Sequence, residues 1–124
     1  MKIKTSELQG AALDWAVAKC EVTKPIEEFD YFFLKNHDNG FCYYSTNWAQ
    51  GGPIIEREGI SVRCIGSNIN GFIWDADASE YGDGEEMEGP TPLIAAMRCY
   101  VASQLGDEVE IPEELKNERT NSRT

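Results

Sequence analysis

Two segments, residues 6–20 and 91–105, constrain this chain most, because each places apolar side chains around nearly the whole circumference of a helix. In the first, Leu8, Ala11, Ala12 and Trp15 form the i, i+3, i+4, i+7 stripe, and Leu13, Ala16, Val17 and Cys20 widen it. Only Glu7, Gly10 and Asp14 remain as a polar strip. Ser6, with Gln9 three residues on, fits a capping box, and Glu7 suits the first turn. In the second, Thr91 caps, Pro92 takes the first helical position and Gly106 ends the helix. Leu93, Ile94, Met97, Tyr100, Val101 and Leu105 share one wide face. Ala95, Cys99 and Ala102 lie opposite, small enough to admit another backbone. Helices with so little wet surface need cover, so Trp15 and Tyr100 are expected to be buried where the two helices meet.

Between them the periodicity changes. Pro25 ends any helix, Phe29–Leu34 reads as a strand or a short helical turn, and His37–Gly40 signals a turn before a strand at 41–44. Gly51-Gly52-Pro53 breaks the chain, with a short helix over 53–58 that starts on Pro53 and stops at Gly59. Residues 60–65 alternate as a strand, 66–68 turn, and 71–74 begin a second strand of an antiparallel hairpin. The acidic, glycine-containing stretch 75–90 reads as a loop, and Val109 with Ile111 as an edge strand. The expected class is α+β: a small antiparallel sheet of three or more strands packed with two long helices, about 6–20 and 91–105. The chain's 124 residues suit one domain, 1–115, followed by a polar, disordered tail, 116–124.

Composition excludes several classes. No run approaches the roughly 20 apolar residues of a membrane helix. Two lysines near the N-terminus precede no apolar stretch, so no signal peptide is expected and the cytosol is the default. The four cysteines, Cys20, Cys42, Cys64 and Cys99, include no C-x-x-C pair, and His37 is the sole histidine. Buried, reduced cysteines fit that spacing better than a zinc site does. The net charge of −11 disfavours direct contact with nucleic-acid phosphates. It suits basic protein surfaces, metal cations or plain solubility.

Chemistry-bearing patterns are sparse. Asp75, Asp77, Ser79, Asp83 and Glu86 fall on positions 1, 3, 5, 9 and 12 of a calcium loop, but Glu80 stands where the sharp turn needs glycine, and the flanks are not helical. A solvated acidic loop is the better reading, and no metal or cofactor is expected. Trp48, Gln50, Gly51, Gly52 and Arg57 form a candidate interaction surface: a glycine turn at a helix start, with an aromatic and a guanidinium nearby. The competing reading has Trp48 plugging the core and Arg57 paired internally. There is no nucleophile elbow and no H-E-x-x-H, so no catalytic residues are assigned.

The runs 4–8 (KTSEL), 12–18 (ALDWAVA), 44–58 (YSTNWAQGGPIIERE) and 89–101 (GPTPLIAAMRCYV) together resemble the NinX-like proteins of tailed phages and prophages, a family without an assigned activity. The likeness spans nearly the whole chain. It implies a phage accessory protein in the bacterial cytosol and carries over no site residues.

The expected function is a non-enzymatic protein-binding module for a host or phage partner. One alternative is an acidic DNA mimic, since 12 of the 22 acids lie between Asp75 and Glu114 against the single base Arg98. Another is a small enzyme using the 48–58 region. No membrane partner is expected, and a homo-oligomer is left open.

Overall fold

The computed structural model describes residues 1–21, 43–78 and 86–113, together with Leu115. In chain order these form β1 (Lys2–Lys4), a 3-10 turn (Thr5–Glu7), α1 (Gly10–Glu21), α2 (Trp48–Glu58), β2 (Ser61–Asn68), β3 (Gly71–Asp77), β4 (Glu86–Gly89), α3 (Pro92–Leu105) and β5 (Glu108–Glu110). The architecture is α+β, as the sequence predicts. Strands β2, β3 and β4 make an antiparallel meander, and β1 pairs with β5 in a separate two-stranded sheet through Ile3↔Val109. The expectations for 22–42, for the loop centre 79–85 and for the tail 116–124 lie outside the described residues.

α3 is the axis of the fold. Thr91 Oγ1 accepts the Ile94 N–H at 3.1 Å, Pro92 opens the helix, and Gly106 closes it through a 3.0 Å bond to the Ala102 carbonyl. Leu93 and every residue from Ala95 to Ala102 are buried, against α1 on one side and the meander on another. Leu8, Leu13, Trp15, Val17, Ile54, Met97, Val101 and Ile111 form the innermost core. Trp15 and Tyr100 are both buried there, as expected. The small face of α3 does admit another backbone: a Cβ on Gly89 of β4 would stand 2.7 Å from the Ala95 nitrogen.

Several boundaries differ from the sequence reading, each for a tertiary reason. α1 starts at Gly10, not at residue 6. Thr5 is tied to the far end of α3, its N–H to Asp107 O at 2.7 Å and its hydroxyl to Gly106 O at 2.6 Å. Leu8 is extended, and Gly10, at φ +57, turns the chain onto the helix axis. Asp14 is not part of a wet strip: it is buried, and its Oδ1 accepts the Ser45 N–H at 2.8 Å. Tyr43 and Tyr44 lead into a turn rather than ending a strand, with Asn47 N–H on the Tyr43 carbonyl at 2.8 Å.

The glycine turn is a helix. Asn47 caps α2 by accepting the Ala49 N–H at 2.8 Å, and Pro53 lies inside the helix. Gly59, in the left-handed region at φ +66, ends it. The hairpin turn falls at Ile69-Asn70, because Asn68 pairs with Gly71, and Ile65 is the extra residue of a bulge between Cys64 and Gly66. The acidic stretch is shorter than expected at both ends, since β3 runs to Asp77 and β4 begins at Glu86. Finally, the cysteines are not uniformly buried: Cys99 is, Cys20 is half-buried, Cys64 is exposed, and Cys42 lies outside the described residues.

Candidate functional site

The residues singled out around α2 do not assemble into one cleft. Trp48, in the first helical turn, is 55% exposed beside a shallow depression of about 190 Å³ formed with Ser45, Thr46, Thr91, Leu93 and Ile94. Gln50 turns back instead, its Oε1 accepting the Tyr43 N–H at 2.6 Å. Gly51 is buried because α2 crosses the chain there: a Cβ would meet the Tyr44 carbonyl oxygen at 2.5 Å and Leu93 Cδ1 at 2.6 Å. Gly52 is half-buried with space around it. Arg57 sits at the other end of α2, about 14 Å along an axis that rises about 1.5 Å per residue. A turn would have folded Trp48 back toward Arg57, whereas a helix separates them.

Arg57 is occupied in any case. Nη1 and Nη2 donate to the two oxygens of Glu21 at 3.0 and 2.7 Å, Nε donates to Glu58 at 2.7 Å, and Nη2 reaches the Tyr100 hydroxyl at 3.2 Å. Tyr100 in turn donates to Glu21 at 2.5 Å. The cluster ties the end of α1 to α2 and α3. The Arg57 hydrogen bonds, with help from Tyr100, hold the Glu21 carboxyl below its ordinary 4.5 despite partial burial. Burial, then the Glu21 carboxylate, pushes the Tyr100 phenol above its ordinary 10.0.

The signs define two pH limits. A carboxylate with a depressed folded value contributes stability that is complete above pH 4.5 and is lost as pH falls through that lowered value. A phenol with a raised folded value contributes below pH 10.0 and loses that contribution as pH rises through the raised value. Glu21→Gln is therefore expected to flatten the acid limb of a stability–pH curve measured by urea unfolding, while leaving the fold intact at neutral pH.

The calcium pattern is likewise divided. Asp75 and Asp77 are on β3, Glu86 is on β4 opposite Asp77, and Ser79 and Asp83 lie outside the described residues. Asp75 is buried and paired with Arg63 at 3.0 Å, so its charge is already met.

Two features escape sequence reasoning. The first is the β2–β3 hairpin, which is exposed along most of its length. Ile65 is 47% exposed, Phe72 63% and Ile69, at the tip, 99%. A run without acids, 59–74, is the one signal that marks it in the sequence. The second is Arg98, only 9% exposed near the middle of α3. Its Nε donates to the Leu8 carbonyl and Nη1 to the Glu88 carbonyl, both at 2.8 Å, and no acid pairs with it among the described residues. Burial lowers its pKa, as expected of a cation removed from water. Arg98 lines a groove of about 570 Å³ together with Ser6, Asn70, Phe72, Glu88 and Pro90.

Residues 4–104 match the family model described as Bacteriophage P22, NinX. The chain belongs to the NinX family. No curated protein matches it. The match covers α1, α2, the meander and nearly all of α3, so both the hairpin and the Arg98 groove fall inside the part that defines this NinX-family chain. No helix among the described residues is long and apolar enough to cross a membrane.

The exposed Cys64 offers a check on the hairpin. Burial pushes the Cys20 thiol up to about 12, which keeps it protonated near neutral pH, and Cys99 is buried. Among these three, iodoacetamide is expected to modify Cys64 first, with peptide mapping by mass spectrometry as the readout. Faster labelling of Cys99 would contradict the packing of α3.

Proposed function

We propose that this NinX-family chain is a non-enzymatic protein-binding module of the bacterial cytosol, and that the β2–β3 hairpin is its contact element. One observation carries the reading: Ile65, Ile69 and Phe72 are held out in solvent on an arm whose residues 64–74 bear no charge, in a chain of net charge −11. Exposed apolar groups on a neutral surface suit an apolar, uncharged cleft on a partner. The acidic-decoy alternative draws less support. Of the carboxylates that share the outer face of β3 and β4, Asp75 is buried against Arg63 rather than displayed.

The test is recovery of a partner by the tagged full chain from cells that contain the phage, compared with the Ile65→Ser/Ile69→Ser variant. Both side chains are exposed, so stability is expected to change by no more than about 0.5 kcal/mol per site. Recovery of a partner by the native chain and its loss with the variant is the expected result. Equal recovery by both would remove the hairpin from the interface.

A further inference from the structure

We infer that the Arg98 groove captures the free carboxylate of an extended peptide segment laid along the edge of the meander. The inference rests on the protein-binding reading and gives it a second, separate contact.

The cation comes first. A desolvated guanidinium is costly unless its donors are met, and proteins ordinarily pair one with an acid. In a chain with 22 acidic residues, Arg98 has none among those described. Two main-chain carbonyls, Leu8 ahead of α1 and Glu88 of β4, accept from Nε and Nη1 and so restrain the group. Nη2 has no partner among the described residues. A fixed, partly desolvated guanidinium at the wall of a groove is the donor geometry that a carboxylate takes.

The strand edges come second. Among the described residues, β4 pairs with a strand on one side only, β3, and its Glu88 carbonyl is taken by Arg98 Nη1. Gly89 pairs with Trp74 as the last rung, so Gly71–Ile73 of β3 are bonded to β2 alone. Pro90 then turns the chain away toward α3. Residues of both free edges line the groove: Glu86–Gly89 from β4, and Phe72 and Ile73 from β3. Its volume of about 570 Å³ suits a few residues of extended chain, which advances about 3.3 Å per residue. Added strands gain affinity from main-chain bonds and specificity from the pockets beside them.

The rim sets the ligand's charge. Glu86 and Glu88 also line the groove, so further acids on the peptide would be repelled. The segment that fits carries one carboxylate, at Arg98, and is otherwise neutral or basic.

The experiment titrates the isotope-labelled full chain with an N-acetylated Val-Thr-Val-Thr peptide, prepared as the free acid and as the amide, and with sodium acetate. Amide shifts of Phe72, Ile73, Met87 and Glu88 and the Arg98 Nε–H signal are followed by NMR. The acid is expected to saturate these signals and to bind at least about tenfold more tightly than the amide or acetate, the scale of a lost hydrogen bond to charge. Arg98→Lys should weaken the acid by a similar factor. If that variant fails to fold, the acid-against-amide comparison on the native chain decides alone. Equal binding of acid and amide, acetate as effective as the peptide, shifts mapping elsewhere, or no binding would each overturn the site. None of these outcomes touches the Ile65/Ile69 comparison, so the two readings fail separately.

Discussion

Trp15→Ala is expected to lower the free energy of unfolding by about 3–5 kcal/mol, the range for removing a large aromatic from a closed core. Trp15 is among the largest fully buried side chains, in a core shared by α1, α3 and Ile111 beside β5. Among the described residues no neighbouring element is free to collapse into the space: α3 is held at both ends by its caps, and the N-terminal strand is tied by Ile3↔Val109 and the Met1–Ile111 main-chain bond of 2.7 Å. Urea unfolding followed by circular dichroism measures the loss as a shift in midpoint at unchanged slope. A change below about 1 kcal/mol would mean that the tryptophan is not packed as described.

Alanine at the two adjacent glycines of α2 is expected to act with opposite signs. Helical glycine ordinarily costs about 0.5–1 kcal/mol relative to alanine, so Gly52→Ala, whose methyl meets nothing within 4 Å beyond its own chain neighbours, should stabilise the protein by less than about 0.5 kcal/mol, because a Cβ just ahead of Pro53 disfavours the helical backbone. Gly51→Ala should destabilise it by about 1–3 kcal/mol, since the methyl would press on the Tyr44 carbonyl oxygen at 2.5 Å and on Leu93 Cδ1 at 2.6 Å. Leu93 has some freedom to rotate, but the Tyr44 carbonyl does not. Thermal unfolding of the two variants side by side gives the comparison. Stabilisation at both positions would show that α2 stands further from α3 than the structure has it.

These glycines also show where reading the sequence stops. Gly-Gly-Pro is a sound turn signal, yet local propensity of this size is small beside what α2 gains by packing Ile54 into the core and capping itself with Asn47. The change moves Arg57: a turn would set it beside Trp48 as part of one surface, whereas in the helix it meets Glu21 and Tyr100, the internal pairing that the competing reading expects, and ties three helices together. Asp14 differs for a related reason: its periodicity marks it as wet, while its partner, the Ser45 main chain, lies 31 residues away and leaves no mark on the helix pattern.

Local sequence determined what depends on neighbours in the chain: the α+β class, the caps of α3 at Thr91 and Gly106, the stop of α2 at Gly59, and the burial of Trp15 and Tyr100. Each of these follows from side-chain periodicity or from a residue's own backbone preference. The tertiary structure alone decided that α1 begins at Gly10, that the hairpin stands out in solvent, and that Arg98 lies in a groove with no acid paired to it among the described residues. Exposure of the hairpin depends on where β4 stops, and the isolation of Arg98 depends on which carbonyls, 10 and 90 residues away, reach it first. Long-range hydrogen bonds and close backbone approaches make those choices, and no residue encodes them by itself.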